Sequence, residues 1–252
     1  MGTYVERLNM QAAAKGSSKV LLSATLSVLL GVGVVAGVGY TLNSASDDGR
    51  APVIATIAGN IDTPKGNMPH AIVELGVYPD SLSSGAHGAD GGSHPGYVTY
   101  GPSNVIVVPA HSLVTITIKG YDGGETLNAP FFGKVIGTSD GTMSVNGKVV
   151  SELNYDQVQH TFTIHGLPTS TQDPLFVNIP LLKQTDEVMG AFDDTGKLPE
   201  PNVTTFSFYT GSAGEYVWNC EYPCGDGTYA KFGAAMSKYG YMSGKVSVVD
   251  HI

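Results

Sequence analysis

The apolar residues of this chain follow two regimes. From Val20 to Leu42 a stretch of 23 residues, VLLSATLSVLLGVGVVAGVGYTL, carries no charge, which matches the ~20 residues a helix needs to cross ~30 Å of hydrocarbon. Beyond it the pattern shortens toward a period of two. Val105-Ile106-Val107-Val108, closed by Pro109, and Leu113-Val114-Thr115-Ile116-Thr117-Ile118 are β-branched runs that stop at the turn-like Tyr121-Asp122-Gly123-Gly124; runs of this kind form half-buried strands. Further strands are predicted at 161–165, 175–179, 204–209, 215–219 and 245–249. Val145-Asn146-Gly147-Lys148 predicts a hairpin, because Asn-Gly supplies the positive φ that a tight turn requires. Residues 131–154 and 182–201 fall between strands as insertions. No long amphipathic pattern competes, so short strands with Gly and Pro turns predict an all-β antiparallel sandwich.

This pattern divides the chain into an N-terminal tail at 1–19, a transmembrane helix at 20–42, a linker and N-terminal extension at 43–99, and a sandwich domain at 100–252. The loop 81–96, SLSSGAHGADGGSHPG, carries His87 and His94 and has the composition of a flexible connection. Arg7, Lys15 and Lys19 precede the span against one Glu6, and Asp47 and Asp48 follow it. The positive-inside bias therefore predicts a single-pass cell-membrane protein whose C-terminal domain faces the extracytoplasmic side, with a signal peptide cleaved near Asn43-Ser44-Ala45 as the rival reading of the same segment.

Charge sharpens this picture. Only 14% of residues are charged, against ~25% in an average soluble domain. The chain has 13 Lys and Arg against 22 Asp and Glu; three basic residues and one acidic residue lie before Ser46, so the outer part carries a net −11. With Arg7 and Arg50 as its only arginines, the chain has no surface for tracking phosphates, which excludes nucleic acid as a partner. The outer surface instead favours cationic partners, with an attraction that salt weakens. The two cysteines, Cys220 and Cys224, are too few and too close to staple a small secreted scaffold, and serve as a local pair or as metal ligands. Asn202-Val203-Thr204 is a glycosylation sequon.

Three distant fragments carry the candidate chemistry. Asn104 to Ile118 is strand, Pro-Ala turn and strand; Asp156-Gln-Val-Gln-His160-Thr-Phe-Thr-Ile164 places a histidine at the opening of a strand; Gly214-Glu-Tyr-Val-Trp-Asn-Cys220-Glu-Tyr-Pro-Cys224-Gly225 precedes Gly240-Tyr-Met242-Ser-Gly-Lys-Val-Ser-Val-Val249. Over roughly 100–250 these fragments resemble the cupredoxin domain, in particular the membrane-anchored oxidase subunit II branch, which includes both the binuclear CuA domain of cytochrome oxidases and the copper-free subunit II of quinol oxidases. The resemblance implies a cupredoxin-like Greek-key β-sandwich behind one N-terminal transmembrane helix. It also implies that His160 takes the first ligand position, that Cys220 and Cys224 keep the Cys-x-x-x-Cys spacing of the metal loop, and that Met242 takes the methionine position before the last strand. Two departures stand beside it: Thr228 occupies the position of the loop histidine, and residues 228–238 form an insertion.

The ligand set therefore allows several fillings. His160, Cys220 and Cys224 can hold one copper with Met236 or Met242 as a further soft ligand. The cysteines can instead close a local Cys220–Cys224 disulfide that leaves the domain metal-free. A binuclear CuA centre would lack its second histidine, and zinc is a further option. His165, an odd number of residues from His160, is expected on the opposite strand face, and Trp218 in the core. The resemblance implies electron transfer in, or beside, a respiratory oxidase chain, as an electron carrier or oxidase subunit rather than a stand-alone enzyme. Its partners would be oxidase subunits or a small basic cytochrome. The alternative is a metal-free interaction module or a copper-delivery protein.

Overall fold

The computed structural model describes residues 50–79, 98–124, 128–167, 171–195, 197–224, 234–237 and 240–252. The predicted tail, the span at 20–42, the loop with His87 and His94, and most of the 228–238 insertion lie outside the described residues. Among the described residues no helix is long and apolar enough to cross a membrane.

In chain order the strands are β1 Val53–Ile54, β2 Thr56–Thr63, β3 Gly66–Tyr78, β4 Thr99–Gly101, β5 Val105–Pro109, β6 Leu113–Gly120, β7 Met143–Val145, β8 Lys148–Val150, β9 Val158–His165, β10 Phe176–Leu182, β11 Asn202–Tyr209, β12 Gly214–Asn219 and β13 Ser243–Val249. They build two sheets, β1-β5-β13-β12-β9-β10 and β2-β3-β6-β11-β7-β8, with β4 paired to β3. Most pairs are antiparallel, but β5 runs parallel to both β1 and β13, and β3 runs parallel to β6. Consecutive strands β5 and β6 sit in different sheets, and β11 lies in the sheet opposite β10 and β12, so the chain crosses the sandwich instead of meandering along one sheet.

The alternation seen in the sequence is the alternation of burial. Val114, Ile116 and Ile118 of β6 point inward while Thr115 and Thr117 lie toward solvent, and Phe206 and Phe208 of β11 face inward opposite them. From the other sheet come Phe162, Ile164, Tyr216, Trp218, Val246 and Val248, all buried. An aromatic layer sits between the sheets. Trp218 lies 4.6 Å from the Tyr100 ring and 5.0 Å from the Phe162 ring, and its Nε1–H donates to the Asn104 carbonyl at 2.9 Å.

The expected hairpin is present, with Asn146 at φ 49° and Gly147 at φ 80°, the paired positive φ values of the predicted turn. The expected domain boundary at residue 100 is corrected. The compact unit runs from Asp48 to Ile252, and β3 pairs with β6 from His70 to Val77. Ala71, Val73, Leu75 and Val77 are core residues, so the "extension" is part of the sandwich. The 182–201 insertion carries the helix Asp186–Thr195. The sequon is structural: the Asn202 amide donates to the carbonyls of Leu182 and Lys183, and its oxygen accepts from Asn146.

Candidate metal centre

Three chain segments meet at one end of the sandwich, beyond the aromatic layer. His160 is the third residue of β9 and lies on the inner face with Phe162 and Ile164, 2% exposed. On β12, Tyr216 and Trp218 face inward, and the same period carries Cys220 inward just past the strand end. The Cys220 N–H donates to the Met242 carbonyl at 2.9 Å, which extends the β12–β13 ladder by one step and places Met242 directly opposite Cys220 on the inner face. The chain then doubles back. The Cys224 N–H donates to the Tyr222 carbonyl at 2.8 Å, a three-residue turn at Tyr222-Pro223 that returns Cys224 toward Cys220. The short helical turn Ala234–Ser237 braces the loop: the Ala235 N–H donates to the Cys224 carbonyl, and the Met242 N–H to the Ala235 carbonyl.

His160 Nδ1 lies 3.0 Å from Cys224 Sγ and 3.8 Å from Cys220 Sγ, and the two sulfurs are 3.5 Å apart. The two cysteines are not joined in a disulfide, so the disulfide alternative is not the state of this structure. Cys220 Sγ also accepts backbone N–H groups from Thr161 at 3.3 Å and Tyr222 at 3.4 Å. On the far side of the ring, His160 Nε2 lies 2.8 Å from Asp122 Oδ2. Asp122 belongs to a segment that reads only as a turn in the sequence; its distance of 38 positions from His160 gives no signal of the pairing.

These groups perturb one another. Burial opposes a charge on His160, but the bond to Asp122 and the neighbouring Cys220 sulfur outweigh it and raise the ring's pKa to about 9. Burial would raise the Cys220 thiol, yet the hydrogen bond from Cys224 and the nearby imidazole hold it well below the ordinary thiol range. Cys224 is pushed up, by its bond to Cys220 first and by burial second. Asp122 is lowered: burial works against its charge, and the His160 bond together with the N–H groups of Gly124 and Gly123 overcome it. In the metal-free site the directions of these shifts favour charge on Asp122, His160 and Cys220, with Cys224 protonated and donating to Cys220.

Of the predicted ligands, His160, Cys220 and Cys224 are brought together, with all donor atoms within 4.8 Å of one another. Met242 takes the adjacent place, and Met236, half-buried, packs against the core from the helical turn. His165 is not part of the group; as its spacing implies, it lies on the other face, with Nε2 at 3.0 Å from the Asn219 Oδ1. No second histidine joins the group among the described residues, so the histidine a binuclear centre requires is not supplied there.

No family model and no curated protein matches this chain. Among solved structures, auracyanin B aligns with 79% of this chain and 99% of its own length at 11% identity and a TM-score of 0.30. A multicopper oxidase aligns with 71% of this chain at 10% identity and a TM-score of 0.27, and this chain spans 43% of its length.

Whether the donors fit a metal is decided by their own geometry. The circle through His160 Nδ1 and the two sulfurs has a radius of about 2.0 Å, close to metal–nitrogen and metal–sulfur bonds of about 2.0–2.3 Å. The triangle needs only to widen slightly. Two thiolates and an imidazole form a soft donor set that suits copper or zinc. The N–H groups on Cys220 Sγ and the carboxylate on His160 Nε2 are the outer contacts that orient such ligands. The residues present fit one ion.

Proposed function

We propose that this chain is a cupredoxin-like copper protein in which His160, Cys220 and Cys224, with Met242 beside them, hold one copper ion. The observation that carries this reading is the convergence of two thiol sulfurs and His160 Nδ1 in a buried triangle of metal-binding size. Bound copper would supply one-electron redox chemistry.

The protein's part is to hold and shield. Cys220 and Met242 stand opposite each other one step beyond the paired ends of β12 and β13, and His160 stands on β9, next in the same sheet. Ligands fixed to one sheet keep their spacing when the charge at the site changes, which lowers the reorganisation that electron transfer requires. Trp218, Phe162 and Tyr100 form an apolar floor beneath them. Copper delivery is the weaker reading, because a donor site must open to its recipient, and His160, Cys220 and Cys224 are only 2%, 1% and 8% exposed.

The uncharged 20–42 stretch supports membrane anchoring with the domain outside, and the net −11 of the outer part supports docking of a basic redox protein by salt-sensitive steering. A respiratory oxidase chain is the setting we propose, with an oxidase subunit II-like role.

The test is to purify the full chain in detergent, reduce it, load it with copper, and record metal content and visible absorption beside Cys220→Ser and His160→Ala variants. One copper per chain and a thiolate-to-copper band lost in both variants is the expected result. A colourless protein that retains no copper, or one that retains only zinc, overturns the reading.

A further inference from the structure

The Asp122 turn is held from three sides. Tyr121 stacks on Tyr78 with ring centroids 5.2 Å apart, and its N–H donates to the Val77 carbonyl. Gly124, at φ +60°, lies so close to β9 that a Cβ there would stand 2.5 Å from the Gln159 Cβ, so only glycine keeps the turn against the residue preceding His160. The third side is the 182–201 insertion. Its Gln184 N–H donates to the Asp122 carbonyl at 3.1 Å, while the Gln184 side chain, itself buried, donates to the carbonyls of Gly120 and Glu200. Met189 of the helix covers Gly123, where a Cβ would come within 3.0 Å of its Cγ. Asp122 Oδ2 is thereby fixed 2.8 Å from His160 Nε2.

We infer that Asp122 is a positioning residue for the metal site, and that the 182–201 insertion acts as a clamp that keeps its carboxylate on His160. This rests on the reading of the site as a metal centre. An imidazole that presents Nδ1 to a metal carries its remaining proton on Nε2, and a carboxylate at Nε2 both selects that tautomer and stops the ring from turning. A carboxylate on that proton also makes Nδ1 a stronger donor. The clamp makes a segment with no ligand of its own part of the site: loosening Gln184 or Met189 frees the turn, the turn frees Asp122, and His160 loses its orientation.

The test uses the full chain in detergent, metal-free and reduced, with zinc affinity measured by chelator competition and copper affinity measured in parallel. Asp122→Ala is expected to weaken both by roughly 10- to 100-fold. Asp122→Asn keeps an acceptor of the same shape without the charge, and should recover part of that loss. Gly124→Ala and Gln184→Ala leave the carboxylate in place but disturb its support, and should weaken binding in the same direction. Nitrogen-15 spectra of the zinc-loaded protein should show a protonated His160 Nε2 in the wild type and exchange-broadening of that proton in Asp122→Ala. Wild-type affinity in Asp122→Ala, within threefold, overturns the inference. So does an Asn variant that binds no better than Ala while the two melt alike. A wild-type protein that binds neither metal refutes the metal-centre reading itself, an outcome separable from these.

Discussion

In the metal-free protein, the stability contributed by His160 and Cys220 should be flat between about pH 6.5 and 9 and fall on the acid side. The perturbation is pH alone. His160 rises from 6.5 to about 9 on folding, so its contribution is complete below pH 6.5 and is lost as pH climbs through about 9. For this fully buried ring the shift corresponds to about 3 kcal/mol. Cys220 is lowered from 9.0, so its contribution is complete above pH 9 and is lost as pH falls through its folded value. Within the window between the two ordinary values, wherever the pH lies above the lowered Cys220 value, the folded pair holds one proton on the ring and none on the thiolate, while the unfolded chain holds none on the ring and one on the thiol. The proton counts match, and the two slopes of about 1.4 kcal/mol per pH unit cancel. Below pH 6.5 the unfolded ring takes up an extra proton, and stability should decline at about that slope. Urea unfolding from pH 5 to 9.5, with chelator and reductant present, measures it. In Cys220→Ser only the His160–Asp122 half remains, so stability should instead be greatest below pH 6.5 and decline toward alkaline pH. A wild-type protein that loses stability steadily from pH 6.5 to 9 would refute the buried thiolate.

Other expectations follow from single contacts. Trp218→Ala, which empties the centre of the aromatic layer and removes one of the two donors to the Asn104 carbonyl while the Lys245 N–H remains, should cost about 3–5 kcal/mol in chemical denaturation. The Tyr222 hydroxyl is buried without a hydrogen-bond partner among the described residues; Tyr222→Phe should therefore leave stability unchanged or raise it by about 1 kcal/mol, with zinc affinity unaltered because the backbone N–H to Cys220 Sγ is retained. A mild thiol oxidant should close Cys220 onto Cys224, whose sulfurs are already 3.5 Å apart, and abolish metal uptake until a reductant restores it, as thiol titration and metal content would show. In a host that glycosylates outside the membrane, Asn202 should stay unmodified because its amide is committed to two backbone carbonyls; a glycan found there by mass spectrometry would show that those bonds open.

The strands of the sandwich could be read from the chain because one face of each is wet: Thr115 and Thr117 alternate with Val114, Ile116 and Ile118, and that contrast is what a period of two detects. Where the contrast fails, the reading fails. β2 is exposed along nearly its whole length and gives no alternation; β3 alternates in burial from Ala71 to Leu75, but Ile72 on its exposed face hides the contrast, and both passed for an extension. His160, Cys220 and Cys224 were legible because a histidine opening a strand and thiols four apart match the ligand positions that the resemblance to the cupredoxin pattern implies. Asp122 was not. Its role arises from a pairing across 38 positions and from an insertion whose packing no local pattern encodes.

That missing residue explains how so polar a group can stand on an apolar floor. A buried thiolate or imidazolium alone is costly, and each here is compensated by a neighbour of opposite charge. Asp122 balances His160 from outside, His160 balances Cys220 from within, and the Thr161 and Tyr222 N–H groups complete the thiolate's contacts. With His160 charged and Cys224 protonated, the contacts of His160 Nδ1 with Cys224 at 3.0 Å and of Cys224 with Cys220 at 3.5 Å are hydrogen bonds inside the donor triangle. Taking up a cation then means releasing the protons of these bonds with little movement of the chain, so affinity should strengthen with rising pH. The ion chain that stabilises the empty site is also what keeps the three donors converged on one point.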